Sequence, residues 1–340
     1  MIEGQEDVTW ADWLALAGAC EEHGVEALFR SDHYLSVEGK TARGSLDAWA
    51  TIAALAAVTD RLRLGTLVSP ATFRHPSELA KVVTTVDHVS GGRVELGMGT
   101  GWLEAEHNAY GFPFPPLAER FAELEEQLEL VSREWAGGPF SSEGRRYKVR
   151  DLDALPKPLQ RPRPHLIVGG RGGRRSVAVG ARFADEYNTF HKTAGECLAI
   201  RRELDDACSR EGRDPLPLSL MTGWLVGEDR AELLDRAGRL AEWRAHPGGA
   251  EGLLDTQRLG LWRARNVTGF GALATERIAP DDVIRLQENL LMSHAAGGRT
   301  VGFDHVAAAM RIFERARETA EIALAGSGVP LATMDELREL

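Results

Sequence analysis

Short apolar runs alternate with amphipathic stretches along the first two thirds of the chain. Thr9 to Gly24 predicts a helix: Thr9 is placed to cap it, Trp10, Trp13, Leu14 and Ala17 fall at helical spacing, and Gly24 stops it. A strand from Glu26 to Arg30 follows and ends in Ser31-Asp32-His33. A helix from Ser45 to about Thr59 precedes the strand Leu62 to Val68, and a helix from Pro76 to His88 precedes the strand Arg93 to Gly97. A long charged helix, Leu117 to Trp135, leads into an irregular stretch from Gly137 to Pro164. There Tyr147 and Val149 suggest a small hairpin, and the prolines at 156, 158, 162 and 164 mark an ordered insertion.

The alternation then resumes. His165 to Val168 reads as a strand, Arg174 to Arg182 as a helix, Asp185 to Asn188 as a short strand and Glu196 to Glu211 as a helix. Leu218 to Val226 reads as a strand and Asp229 to Arg244 as a helix. Strand–helix units without a boundary predict a parallel sheet, and about seven of them favour a (β/α)8 TIM barrel over an open sheet. The expected organisation is α/β, one barrel domain over residues 1–325, with an insertion (137–164) after the fourth helix. An irregular excursion (246–299), in which Asp281 to Met292 has a helical pattern, precedes a last strand and helix within Val301 to Glu318 and a C-terminal tail, 326–340. The first helix starts by residue 9 and leaves only Met1 to Gly4 as a possible first strand, fewer than the five or six residues of an ordinary one, so either that strand is very short or the natural start lies upstream. Of the two, the expectation is an upstream start.

Composition narrows the function classes. Of 340 residues 43% are hydrophobic and 27% charged, enough for a large packed core. The net charge is −11, 40 basic against 51 acidic side chains, which argues against a nucleic-acid partner. No run of about 18 uncharged apolar residues is present to span a membrane. Glu3, Glu6 and Asp7 make the start unlike a signal peptide, and three scattered cysteines fit a reduced, cytoplasmic protein.

In a barrel the reactive groups gather at the C-terminal strand ends. These ends are Ser31-Asp32-His33, Thr66-Leu67-Val68-Ser69, Gly97 to Trp102, Gly169-Gly170, Asn188 and Thr222 to Trp224. Asp32 beside His33 is the best acid/base pair, a carboxylate acceptor next to an imidazole that titrates near neutrality. The plainer alternative is a loop-capping aspartate and a histidine packed at the rim. Gly169-Gly170-Arg171-Gly172-Gly173-Arg174-Arg175-Ser176 follows a strand and opens a helix, so it reads as a phosphate site or as a flexible turn with solvated arginines. It has no Gly-Lys-Ser/Thr, so it is no Walker loop.

Glu95 to Gly101 has the look of a Rossmann or methyltransferase glycine loop, but three strand–helix units precede it and a long polar helix follows. His23, His75, His88, His107, His165 and His191 show no metal-ligand spacing. Trp10, Trp13 and Trp49 read as helix packing, and Glu123, Glu125, Glu126 and Glu129 as a solvated helix face.

Taken together, the segments resemble the luciferase-like monooxygenase superfamily, and within it the coenzyme F420-dependent oxidoreductases. The resemblance lies in Leu28-Phe29-Arg30-Ser31-Asp32-His33-Tyr34, Arg61 to Pro70, Thr72-Phe73-Arg74-His75-Pro76 and Asp87 to Gly97. Gly101-Trp102 with Glu104, Glu106 and His107, Leu155-Pro156-Lys157-Pro158, Gln160-Arg161-Pro162 and Ile167-Val168-Gly169-Gly170 complete it. It covers Met1 to Asn188 densely and fades afterwards.

The resemblance implies a bacterial luciferase-like (β/α)8 barrel that holds coenzyme F420, or alternatively FMN, at the strand mouths. It implies that Asp32 bonds the deazaflavin ring and that His33 is an acid/base or substrate-pocket group. Ser69 would touch the cofactor near a bulge at Thr66–Leu67, where family members carry a cis non-proline bond. Gly99, Trp102 and Val168 would line the cofactor, and Gly169, Gly170 and Arg171 would receive its phosphate. A glutamate of deazaflavin sugar-phosphate dehydrogenases is replaced by Trp102, which points to a larger or more apolar substrate. The implied activity is hydride transfer between coenzyme F420 and an organic substrate, with no metal. The alternatives are a two-component FMN-dependent monooxygenase and a non-catalytic flavin-binding protein. The implied partners are a small-molecule substrate, a flavin or F420 reductase and a second copy of the chain.

Overall fold

The computed structural model describes residues 1–37, 39, 42–190, 192 and 194–221, with 235, 238, 239 and 242. The predicted strand beyond residue 221, most of the helix from Asp229 to Arg244, the excursion 246–299, the elements at Asp281–Met292 and Val301–Glu318, and the tail lie outside the described residues. Met1–Thr189 with Ala199–Ser219 form one compact unit; Phe190–Leu198 and Leu220 onward belong to another.

Thr9 caps helix α1 (Trp10–Glu22) with a reciprocal box. Its hydroxyl accepts from the Asp12 amide while the Asp12 carboxylate accepts from the Thr9 amide. Strand β1 (Ala27–Arg30) follows. Helix α2 (Ala48–Ala56) starts later than the sequence suggested because Asp47 is the cap: it accepts from the Ala50 amide at 2.9 Å. Ser45 instead donates to the His33 carbonyl at 2.7 Å and closes the loop between them.

The strand expected over Leu62–Val68 divides into β2 (Arg63–Thr66) and β3 (Ser69–Pro70), with a cis peptide between Leu67 and Val68. Helix α3 (Pro76–Ser90) begins on proline and ends at Gly91 in the left-handed region. Strand β4 (Val94–Gly99) is followed by a helix the sequence did not announce, α4 (Glu104–Tyr110). No side chain caps it at Leu103, so the usual start signal is missing. Helix α5 (Leu117–Trp135) leads to the hairpin β5 (Phe140–Glu143) and β6 (Lys148–Leu152), in which Val149 pairs with Ser142. Strand β7 (His165–Gly169), α6 (Arg174–Phe183), β8 (Glu186–Phe190), α7 (Ala194–Arg210) and β9 (Leu218–Met221) complete the described elements.

The strands lie in the order β1-β2-β4-β7-β8-β9, with β3 beside β4, and the pairings from β1 to β8 are parallel. Ile2 adds a single parallel bridge to Arg30 on the outer side of β1, its amide donating to the Phe29 carbonyl at 2.9 Å. Helices α2, α3, α5 and α6 pack on one another in sequence over the sheet. Their apolar stripes, including Ile52, Leu79, Val83, Leu124, Leu128 and Val177, are removed from solvent with Leu64, Leu96 and Leu166 of the strands. Gly97 and Gly99, on one face of β4, are glycines because the backbone at the end of β2 and the Val68 side chain after it come close. A Cβ on Gly97 would stand 2.1 Å from the Thr66 carbonyl oxygen, and one on Gly99 2.8 Å from a Val68 methyl.

The acidic face of α5 is not simply solvated, contrary to the sequence reading. The Glu126 carboxylate accepts from the Arg146 and Tyr147 amides, and Glu123, which is buried, accepts from the Tyr147 hydroxyl at 2.9 Å. Glu125 and Glu129 pair with Arg175 and Arg182 of α6. With Glu119 on Arg146 and Arg133 on the Ser141 carbonyl, six of the helix's eight charged side chains hold the hairpin or α6 in place, which periodicity alone does not reveal.

Candidate active site

The ends of β1 and β2 and the start of β3 bring Asp32, Thr66 and Ser69 into contact. All three are buried. The Ser69 hydroxyl donates to Asp32 Oδ2 at 2.6 Å, accepts from the Trp49 indole N–H at 3.0 Å and lies 3.1 Å from Thr66 Oγ1. Thr66 in turn donates to the Gly97 carbonyl at 3.1 Å. Trp49 therefore does more than pack its helix: it aims the serine.

Arg74, on the loop after β3, grips Asp32 from the other side. Its Nη1 donates to Oδ2 and its Nη2 to Oδ1 at 3.2 Å. The same Nη2 reaches Asp47 Oδ2 at 2.9 Å and the Tyr34 hydroxyl at 3.1 Å, while Tyr34 donates to Asp47 at 3.0 Å. Burial disfavours the Arg74 charge, but Asp32, Tyr34 and Asp47 outweigh it and hold the guanidinium above its ordinary range. Burial likewise works against the Asp47 carboxylate, yet the Ala50 amide and Arg74 keep it below its usual value. Asp32 thus carries three donors on two oxygens. A carboxylate accepts about four, so capacity remains on Oδ1.

His33 takes a separate partner. Its Nδ1 lies 2.9 Å from Glu106 Oε2 on α4, and Glu106 Oε1 accepts from the Tyr34 amide and, at 2.9 Å, from the Leu35 amide. Glu106 is fully buried, and Trp102 stands edge-on to the imidazole with ring centroids 5.7 Å apart. Burial lowers the His33 pKa, but the hydrogen bond and charge of Glu106 more than reverse this, and the net direction is upward. Trp102 itself is 58% exposed, a flat apolar surface beside that histidine.

Leu67 and Val68 are half-buried, and Val68 overlies the glycines of the neighbouring strands. A Cβ on Gly169 would stand 3.0 Å from the Val68 side chain, and the Gly99 position is 3.7 Å from the Gly169 carbonyl oxygen. Val168 is fully buried, in register between Met98 and Tyr187 of the neighbouring strands. The glycine turn after β7 is partly committed. The Gly170 amide donates to the Asn188 carbonyl at 2.9 Å and the Gly172 amide to the Tyr187 hydroxyl at 3.0 Å. Arg175 turns to Glu125 and the Ala118 carbonyl on α5. What stays open is the first turn of α6, whose N-cap Gly173 offers no side-chain cap, with Arg171 and Arg174 exposed beside it.

The predicted residues thus fall in three groups: Asp32 and Thr66 joined through Ser69, His33 against Trp102, and Gly99 with Gly169 around Val68. Arg171 lies exposed on the turn after β7. Sequence reasoning gave no role to Arg74, Tyr34, Trp49 or Glu106. Arg74 carried a usable signal, a charge placed four residues after the end of β3 and directly after Ala71-Thr72-Phe73. Glu106 carried none, since Glu104 on the same short helix is equally acidic and does not reach the histidine.

The family model for luciferase-like monooxygenases matches residues 2–280. The chain belongs to that family. Within it, the chain is 34% identical over 201 residues to an F420-dependent glucose-6-phosphate dehydrogenase of Microbacterium testaceum, 57% of each chain. It is 31% identical over 153 residues to an FMNH(2)-dependent dimethylsulfone monooxygenase of Pseudomonas putida, 45% of this chain and 41% of that one. The solved structure of the monooxygenase RslO1 from Streptomyces bottropensis superposes with a TM-score of 0.68 at 23% identity, over 92% of this chain and 95% of that one. The parallel sheet with its packed helices is accordingly the TIM-barrel-like fold of luciferase-like oxidoreductases.

Proposed function

We propose that this luciferase-like chain binds coenzyme F420 over the strand ends and transfers hydride between it and a small organic substrate. The observation that carries the reading is the buried Asp32–Ser69–Arg74 cluster, set beside the Leu67–Val68 peptide at the ends of β1 and β2. The residues present fit a flat ring with a polar edge and an anionic tail. Leu67 and Val68 offer an apolar bed, Asp32 Oδ1 an acceptor held by Arg74, and the uncapped first turn of α6 with Arg171 and Arg174 a cation-rich seat for phosphate. Gly99, Val168, Gly169 and Gly170 would give that ring close backbone approach. When bound, a deazaflavin supplies a hydride acceptor or donor, whereas reduced FMN also reacts with oxygen.

In this reading His33 moves the substrate proton and Trp102 walls the substrate side. The protein's own task is to position the two reactants and keep water from the transfer. The reading further takes residues 1–325 as one closed (β/α)8 barrel, cytoplasmic and homodimeric, with reduced cofactor renewed by a separate reductase.

The second reading is an FMN-dependent monooxygenase. It is favoured by the dimethylsulfone monooxygenase relative and by Trp102 in place of a sugar-phosphate dehydrogenase's glutamate. Titration of the purified chain with F420 and with FMN tests both. The primary reading expects F420 to bind, and micromolar FMN binding without F420 binding overturns it. Binding with no turnover, equally silent in wild type and Asp32→Ala, would point to a binding protein.

A further inference from the structure

Among the groups at the strand ends, His33 has an unusual division of its two nitrogens. Nδ1 meets Glu106 Oε2 at 2.9 Å, while Nε2 has no hydrogen-bond partner among the described residues. The other oxygen of Glu106 is fixed by two backbone amides, those of Tyr34 and Leu35, immediately after the histidine in the chain. The carboxylate is fully buried on α4, and the amides that hold it leave it no freedom to rotate away. A carboxylate only accepts, so the hydrogen on this contact belongs to Nδ1. In the neutral imidazole that leaves a lone pair on Nε2, on the ring that Trp102 flanks edge-on.

We propose that Glu106 is a positioning residue that fixes His33 in its Nδ1–H form and so makes Nε2 the proton-accepting atom of the site. The assignment rests on the reading of His33 as the acid/base. For an alcohol substrate the C–H pair leaves as hydride to the oxidised deazaflavin, the O–H proton passes to Nε2, and the carbonyl product forms with two electrons transferred. In the opposite direction the imidazolium returns the proton to the oxygen as hydride arrives at carbon. The groups acting on His33 are consistent: burial opposes its charge, while Glu106, Glu3 and Asp32 all favour it.

Glu106→Gln is the informative variant. The glutamine oxygen can keep the two amide bonds, but its NH2 then points at Nδ1 and donates to it. That reverses the neutral tautomer and puts the hydrogen on Nε2.

The test is nitrogen-15 NMR of the full chain labelled at its ten histidines, with His33→Gln used to assign the His33 signals. Wild type is expected to show a protonated Nδ1 and an unprotonated Nε2 above the titration, and Glu106→Gln the reverse, with the His33 midpoint lower by about one pH unit or more. In turnover the variant should lose about 100-fold in kcat with KM little changed. A wild-type His33 protonated on Nε2, or a variant with unchanged tautomer and midpoint, overturns the assignment. If the variant does not fold, the wild-type tautomer alone decides. Failure of F420 to bind, with the tautomers as expected, overturns the functional reading and leaves the Glu106 contact standing.

Discussion

The carboxylate of Asp87, near the end of α3, holds Gln160 in the proline-rich segment 73 residues further along the chain. Its Oδ1 accepts from the Gln160 side chain at 2.7 Å, and its Oδ2 from the Leu159 and Gln160 amides. The same Gln160 amide group donates to the Val94 carbonyl at 2.7 Å, so segment, helix and the first residue of β4 are tied at one point. Asp87 is wholly buried.

Asp87→Ala should therefore cost about 2 kcal/mol, because three part-buried donors lose a buried acceptor. Urea unfolding measures it. A loss under about 0.5 kcal/mol, the range of ordinary surface changes, would mean that the segment is held by other contacts.

Arg74→Ala strips the buried Asp32 of its counter-ion and leaves Ser69 as its one remaining donor. Breaking a buried pair from one side costs about 3–5 kcal/mol. Thermal melts should fall accordingly, and cofactor affinity should fall with them. Arg74→Lys should recover only part of both, since an ammonium cannot reach both Asp32 oxygens and Asp47 in one planar fork.

Gly97→Ala places a methyl 2.1 Å from the Thr66 carbonyl oxygen, a backbone atom that cannot swing aside. The expected outcome is a loss of at least 3 kcal/mol or an insoluble chain. Gly138→Ala, on an open turn with nothing near, is the control for a glycine needed only for its positive φ; it should cost about 1 kcal/mol.

Stability should depend on pH from both sides of neutrality. His33 and His165 have folded-state pKa values above the ordinary 6.5, held up against burial by Glu106 and Glu186 respectively. Groups raised on folding stabilise below 6.5, and that contribution disappears as pH climbs through the folded value. Glu186, lowered below its ordinary 4.5 by His165 and Ser219 despite burial, stabilises above 4.5 and loses that as pH falls through its folded value. Urea midpoints across pH 3 to 9 should show both limbs. Glu106→Gln should flatten part of the alkaline one, and Glu186→Gln should remove its share of the acidic one.

The fold was legible because period and punctuation agree. Thr9 at the start of α1, proline at the start of α3 and the glycine after it are physical stops, and the elements begin and end there. Asp47 in place of Ser45 shows the limit: both residues cap well, and the choice is made by the His33 carbonyl, which lies far from either helix end in the chain. Helix α4 was not legible for want of an N-cap, although Gly111 ends it in the left-handed region. In the site, Asp32, His33 and Ser69 stood out as polar groups after apolar strands. Their partners were harder to read: Arg74 is marked only by its place just after β3, and nothing in Trp49 or Glu106 as letters says that each completes a hydrogen bond across 20 or 73 residues.

Trp102 also gives the molecule an optical reporter. Its indole is largely in water yet touches the ring of His33, whose charge it will sense. A protonated imidazole beside an indole quenches its emission, so the fluorescence difference between wild type and Trp102→Phe isolates one indole out of eight. That single signal should brighten as His33 loses its proton and change again when any flat ring settles against the open face. The strand mouth can thus be followed by light before its substrate is known.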